Sequence, residues 1–203
     1  MRSVVTFLIG SVIGATAILL YLETSGQLVK ASPAPVRPSA AFPATTADGE
    51  LVMPVQGIKA SSLRSNFNDA RGMFRTHHAL DILAPRGTPV VAAVDGTVRK
   101  LFVSNGGGIT IYEFDRNAEK VYYYAHLERY ADGLHEGMTV KRGDVIGYVG
   151  TTGNAPANTP HLHFAVAVIT PEKLWWKSTP VDPYPMLVQS EAERAVDAAA
   201  GSR

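Results

Sequence analysis

The chain has 203 residues, a formal net charge of +1, a hydrophobic fraction of 46% and no cysteine. That length and apolar content suffice for one compact domain with ends, while the near-neutral charge removes the electrostatic case for a nucleic-acid partner. Without cysteine there is neither a disulfide framework nor a thiolate metal site, so any metal must be held by nitrogen and oxygen.

From the N-terminus, Val4 to Leu22 runs for nineteen residues without a charge. As a helix this covers roughly 28 Å, close to the hydrocarbon thickness of a bilayer, and it is apolar on every face. We read residues 1–22 as a single-pass transmembrane anchor. A cleavable signal peptide is the alternative, because Arg2 gives a minimal positive start and Ser39-Ala40-Ala41 offers small residues. The apolar run is longer than a signal h-region and is not followed promptly by such a site, which favours the anchor. Residues 23–50, with Ser32-Pro33-Ala34-Pro35 and Pro38, have little to bury and form a linker.

Residues 51–188 read as the folded domain. Thr88 to Val94 precedes the turn pair Asp95-Gly96, and Thr97 to Val103 precedes Asn105 and the glycines at 106–108. Ile109–Phe114 and Lys120–Leu127 form the arms of a further hairpin, and period-two alternation predicts Tyr122, Tyr124 and His126 on one face. Val140 to Gly150 repeats the hairpin style, and His161–Ile169 is the last strong strand. No long amphipathic helix interrupts the region, so the fold class is mainly β, an antiparallel sheet core with a groove between loops. Trp175-Trp176 are expected to close the domain edge before Pro180 to Pro185, with stacking on glycan the alternative. Residues 189–203 are helix-prone and weakly apolar, a frayed or surface tail.

Five of the six histidines fall in three fragments with metal-site chemistry. His77 and Asp81 can supply two ligands, His161 and His163 project from one face of a strand, and His126 adds a further imidazole. No HExxH sequence occurs, so a helical glutamate base is not indicated.

The blocks Ser65-Asn66-Phe67-Asn68-Asp69-Ala70-Arg71-Gly72 and His77-His78-Ala79-Leu80-Asp81, then Asp95-Gly96-Thr97-Val98, Tyr124-Ala125-His126-Leu127, Gly143-Asp144-Val145-Ile146-Gly147, Thr152-Gly153 and Pro160-His161-Leu162-His163-Phe164, resemble in order the M23 (LytM/lysostaphin-type) zinc peptidases. The resemblance covers about Leu51 to Tyr184. It implies a groove with Zn2+ at its floor, held by His77, Asp81 and His163, the first chosen over His78 by its spacing from the aspartate. Three such ligands leave a fourth tetrahedral position open. It further implies proton transfer and oxyanion stabilisation by His126 and His161, and a peptide of bacterial peptidoglycan as substrate. Arg64, Arg71, Tyr122 and Tyr124 are expected to line the groove. That substrate sets the domain on the periplasmic or extracytoplasmic side of the inner membrane, or secreted if the leader is cleaved. A non-catalytic wall-binding or regulatory scaffold is the competing class. Departures from the family pattern at Asn68, Ala79, Thr159 and Ala165 bear on backbone strain and substrate fit and leave the ligands untouched.

Overall fold

The computed structural model describes residues 51–71 and 76–201. The anchor read over 1–22 and the linker over 23–50 lie outside the described residues. Among those described, no helix is long and apolar enough to cross a membrane.

The described residues build a mainly antiparallel β domain with one α-helix. The strands are β1 (Leu80–Leu83), β2 (Pro89–Val91), β3 (Gly96–Ser104), β4 (Gly108–Asp115), β5 (Lys120–Tyr130), β6 (Thr139–Val140), β7 (Val145–Val149), β8 (His161–Ile169) and β9 (Ser178–Val181). The central order is β1-β8-β5-β4-β3-β6; β9 adds to β8, and β7 bridges β2 and the far half of β5. The predicted strands are present and β1 and β9 join them, but Val140 to Gly150 is not a hairpin: β6 pairs with β3, whereas β7 pairs with β2 and β5.

The sheet has two unlike faces because its side chains alternate. On one face Leu80, Ile82, Ile111, Tyr122, Tyr124, Leu162, Phe164 and Val166 are buried in the main core. On the other, Phe114, Val121, Ala167 and Ile169 form a minor cluster, packed by Tyr112 and Trp175. Of the two tryptophans expected to close the domain edge, Trp175 packs on this cluster, whereas Trp176 is exposed.

The helix α1 (Pro183–Ala200) begins well before the tail boundary set at residue 189. The Asp182 side chain accepts from the Tyr184 N–H as N-cap, with Pro183 as the first helical residue, a start signal that weak hydrophobicity further along had obscured. Leu187 is buried in the core, Glu191 accepts from the Ala60 N–H and Arg194 donates to the Leu51 carbonyl, so the helix is docked on the domain.

One charge-bearing group lies inside the core. Glu113 Oε2 accepts from the Tyr124 hydroxyl, which itself accepts from the Ala93 N–H; Oε1 has no partner among protein groups. Burial pushes the Glu113 carboxyl up to about 8. An ordinary glutamate releases its proton near 4.5. Between these values the folded chain holds a proton that the unfolded chain has released, so this group makes stability fall as pH rises, by at most about 1.4 kcal/mol per pH unit. Glu113→Gln keeps the neutral shape. Denaturant unfolding at pH 5 and pH 8 should show the variant losing less stability across this window than the parent; parallel losses would mean Glu113 is ionised in the fold.

Candidate metal centre

The strand pair β1/β8 sets the site. Asp81 stands directly opposite His163, and Leu83 opposite His161, so these four side chains share the groove face while Leu80, Ile82, Leu162 and Phe164 turn into the core. His77 arrives from the segment before β1, pinned by its N–H to the Asp69 carbonyl and by the His78 N–H to Phe67. The ligand atoms converge: His77 Nε2 is 2.9 Å from Asp81 Oδ1 and 3.1 Å from His163 Nδ1, which is 2.9 Å from the same Oδ1.

This arrangement calls for a cation. His77 Nδ1 lies 2.9 Å from the Asn66 carbonyl and must carry the proton that this bond needs. Its Nε2 lone pair then faces the Asp81 carboxylate, an arrangement of acceptors that is repulsive unless positive charge sits between them. Asp81 Oδ2 is bonded by Arg71, leaving Oδ1 for the centre. A tetrahedral ion with bonds near 2.0–2.1 Å sets ligand atoms about 3.3 Å apart, close to the spacing here. Two imidazoles and one carboxylate thus fit a metal of the zinc type.

His126 reaches the groove by an irregularity. Strand β5 pairs with β8 through Ala125, opposite His163, and then leaves it to pair with β7 from Leu127. On its other side the register with β4 slips between Ile109 and Ile111. His126 occupies this bulge at φ 61°, and the side chain turns out of strict alternation. Its ring lies 5.0 Å from that of His161 and 5.5 Å from that of His163. The same break corrects two expected groove residues. Tyr122 and Tyr124 do not share a face with His126: they lie in the core, 2% and 0% exposed. Tyr123, one residue out of phase, lines the groove instead.

Both remaining histidines are oriented by backbone carbonyls. His126 Nδ1 donates to Thr152 at 2.8 Å and His161 Nδ1 to Thr159 at 2.8 Å, so each turns Nε2 toward the cleft. His161 Nε2 is 3.8 Å from Asp81 Oδ1. Burial pushes His126 down to about 4, which leaves it neutral at pH 7, and burial likewise lowers His163. The cleft, of about 540 Å³, is lined by all five predicted ligand and proton-transfer residues and by Arg71. Arg64 is exposed and does not line it. His78 is exposed at φ 53° and packs on Phe67. The positive φ thus falls at His78 and at neither Ala79 nor Asn68, so Ala79 sits without left-handed strain.

Two supporting residues gave no separate signal in the sequence although both sit inside recognised blocks. Asn66 accepts from His77 through its carbonyl and from the Asp81 N–H through its side chain at 3.3 Å, steadying two ligands. Thr152 holds His126, while its hydroxyl accepts from the Ile109 N–H and donates to the Leu127 carbonyl. Its loop packs backbone to backbone on the glycines at 106–108: a Cβ on Gly153, at φ +73°, would lie 2.3 Å from the Gly106 oxygen and the Gly108 nitrogen.

Comparison with known proteins agrees with this geometry. The description "Peptidase family M23" matches residues 75–183. An L-Ala--D-Glu endopeptidase of Bacillus subtilis is 36% identical over 68% of this chain and 43% of its own length. The peptidoglycan DD-endopeptidase ShyC of Vibrio cholerae is 37% identical over 51% of this chain and 24% of its own. The chain therefore spans less than half the length of these curated relatives. Among solved structures, the catalytic domain of the antimicrobial peptidase lysostaphin from Staphylococcus simulans matches with a TM-score of 0.52 and 29% identity, covering 63% of this chain and 94% of that one. Helicobacter pylori Csd3 matches at 0.53 and 30%, covering 69% and 33%.

Gly153→Ala should strain the left-handed turn and part the two loops, lowering unfolding free energy by 1–3 kcal/mol or more, on the order of one strained backbone position plus a clash. Thermal unfolding measures it; an unchanged midpoint would mean that the loops do not meet.

Proposed function

The chain belongs to peptidase family M23, and from that membership we propose that it is a zinc-dependent endopeptidase hydrolysing peptide bonds, cross-links or stem bonds, of bacterial peptidoglycan. The single observation that carries the reading is the convergence of His77 Nε2, Asp81 Oδ1 and His163 Nδ1 within 3.1 Å of one another at the floor of an open cleft. A scaffold without turnover would have no use for an intact ligand set backed by oriented proton carriers.

His77, Asp81 and His163 would hold the zinc ion, which when bound would supply Lewis acidity and a water of lowered pKa, about 7. The chain's own groups do the rest. His126 and His161 present Nε2 to the cleft, each locked by its Nδ1–H bond; a neutral Nε2 takes a proton from the attacking water, and an Nε2–H donates to the oxyanion or to the leaving amine. The pair shares these duties, and burial keeps His126 neutral at rest. Arg71 holds Asp81 in its orientation from the side away from the centre.

We further propose that residues 4–22 anchor the chain in the inner membrane, with the domain on the periplasmic or extracytoplasmic side. The uncharged nineteen-residue run and the extracytoplasmic location of peptidoglycan support this. Secretion after cleavage of the leader is the alternative outcome of an N-terminal sequencing experiment.

The purified chain should bind one equivalent of zinc and release muropeptide fragments from sacculi, with chelator abolishing release. His163→Ala should lose both zinc and activity, whereas His126→Ala and His161→Ala should keep the metal and lose roughly 10²–10⁴ in kcat. Metal analysis beside mass spectrometry of the digests decides. Full activity in His163→Ala would sink the ligand assignment, and one bound zinc without bond cleavage would sink the enzyme.

A further inference from the structure

The groove face carries aromatic rings well beyond the metal centre. Tyr123 stands edge-on to His163 at 6.1 Å between centroids. Tyr112 follows Tyr123 at 4.7 Å, Trp175 stands edge-on to Tyr112 at 4.6 Å, and Trp176 edge-on to Trp175 at 5.2 Å. Phe102 flanks Trp175 at 5.6 Å. These spacings are contact distances for aromatic pairs, so the rings make an unbroken strip from the site to the sheet edge. The strip ends in solvent, with Trp176 63% and Phe102 41% exposed.

The strip is held in shape. The loop from Thr170 to Lys177 closes on itself through Lys173 N–H to the Thr170 carbonyl at 2.8 Å and Lys177 N–H to the Leu174 carbonyl at 3.0 Å. Trp175 is tied into the minor cluster, which fixes the direction in which its neighbour points. Closing the domain edge accounts for Trp175. It leaves the exposed indole of Trp176 without a structural purpose.

We propose that this strip is a stacking platform for sugar rings of the glycan strand that carries the peptide being cut. The proposal rests on the peptidoglycan reading above. Reach favours it, because a stem of a few residues, each spanning at most about 3.3–3.6 Å, joins the scissile bond to its sugar, and the strip leaves the centre in four steps, none longer than 6.1 Å. Chemistry favours it as well. A pyranose sets C–H bonds against an aromatic face and keeps its hydroxyls for water and for polar groups such as Glu172, Lys173 and Lys177 of the same loop. A second copy of the chain or another protein would need about 800 Å² per partner, far more than two exposed rings offer.

The test uses the full chain and peptide-free glycan strands stripped by an amidase. Tryptophan fluorescence titration should show binding by the parent, weakening of about two- to tenfold in Trp176→Ala, and near-parent affinity in Trp176→Phe, the range that stacking on one ring is worth. On sacculi Trp176→Ala should raise KM with kcat unchanged, and on a sugar-free cross-linked peptide it should match the parent. No glycan binding by the parent, equal binding by Trp176→Ala, or an equal loss of rate on the sugar-free peptide would overturn the platform. Glycan binding that depends on Trp176 in a chain that cuts neither substrate would leave the platform standing and remove the peptidase reading.

Discussion

Strict alternation along β8 is the constraint on which the site depends. Leu162, Phe164 and Val166 are each 0% exposed, and burying such side chains stabilises the fold by about 1.5–3 kcal/mol apiece. A slip of one residue would exchange these for His161, His163 and Ala165, exposing the apolar set and burying two imidazoles. The core thus locks the register, and the register does the rest: it sets Asp81 of β1 across from His163 and Ala125 of β5 on its other side. No ligand needs to steer its own strand. The apolar face positions the polar one.

What the core cannot do is hold the polar face at rest. His77, His126 and His161 are less than a tenth exposed, crowded around a single carboxylate whose Oδ1 meets three imidazole nitrogens. Buried polar groups of this kind are costly unless paired. Here the outer nitrogens of His77, His126 and His161 are all satisfied by backbone carbonyls, which pushes the unsatisfied capacity inward to one point. Frustration is thereby concentrated where a cation relieves it. The same carbonyls keep the rings turned inward.

Much of this was legible in the sequence because it follows from local rules. Turn pairs bounded the strands, and the i, i+2 spacing of His161 and His163 needed only a strand to share a face. Period two failed at one residue. Tyr122 and Tyr124 obey it and enter the core, but His126 sits where β5 changes partner, and a bulge at positive φ sends it to the opposite face. Nothing local in Tyr124-Ala125-His126-Leu127 marks that switch, since it arises from the meeting of β5 with both β7 and β8. The start of α1 was different. Asp182-Pro183 is a readable cap, but the two prolines of the first turn, Pro183 and Pro185, mask the helix start in the sequence. Asn66 and Thr152 belong to a third kind, chosen for hydrogen bonds to groups far along the chain.

The charge of the cleft follows from the same economy of residues. Among the described residues that line it, Asp81 is the sole carboxylate and Arg71 the sole permanent cation, and these two are bound to each other. Ala165, paired with Tyr123 on the groove side of β8, contributes no acid there. On the reading proposed above, a dication at the centre would leave the cleft with net positive charge, uncompensated by a second acidic group, and in a site partly withdrawn from water that field would favour a carboxylate-bearing peptide on approach.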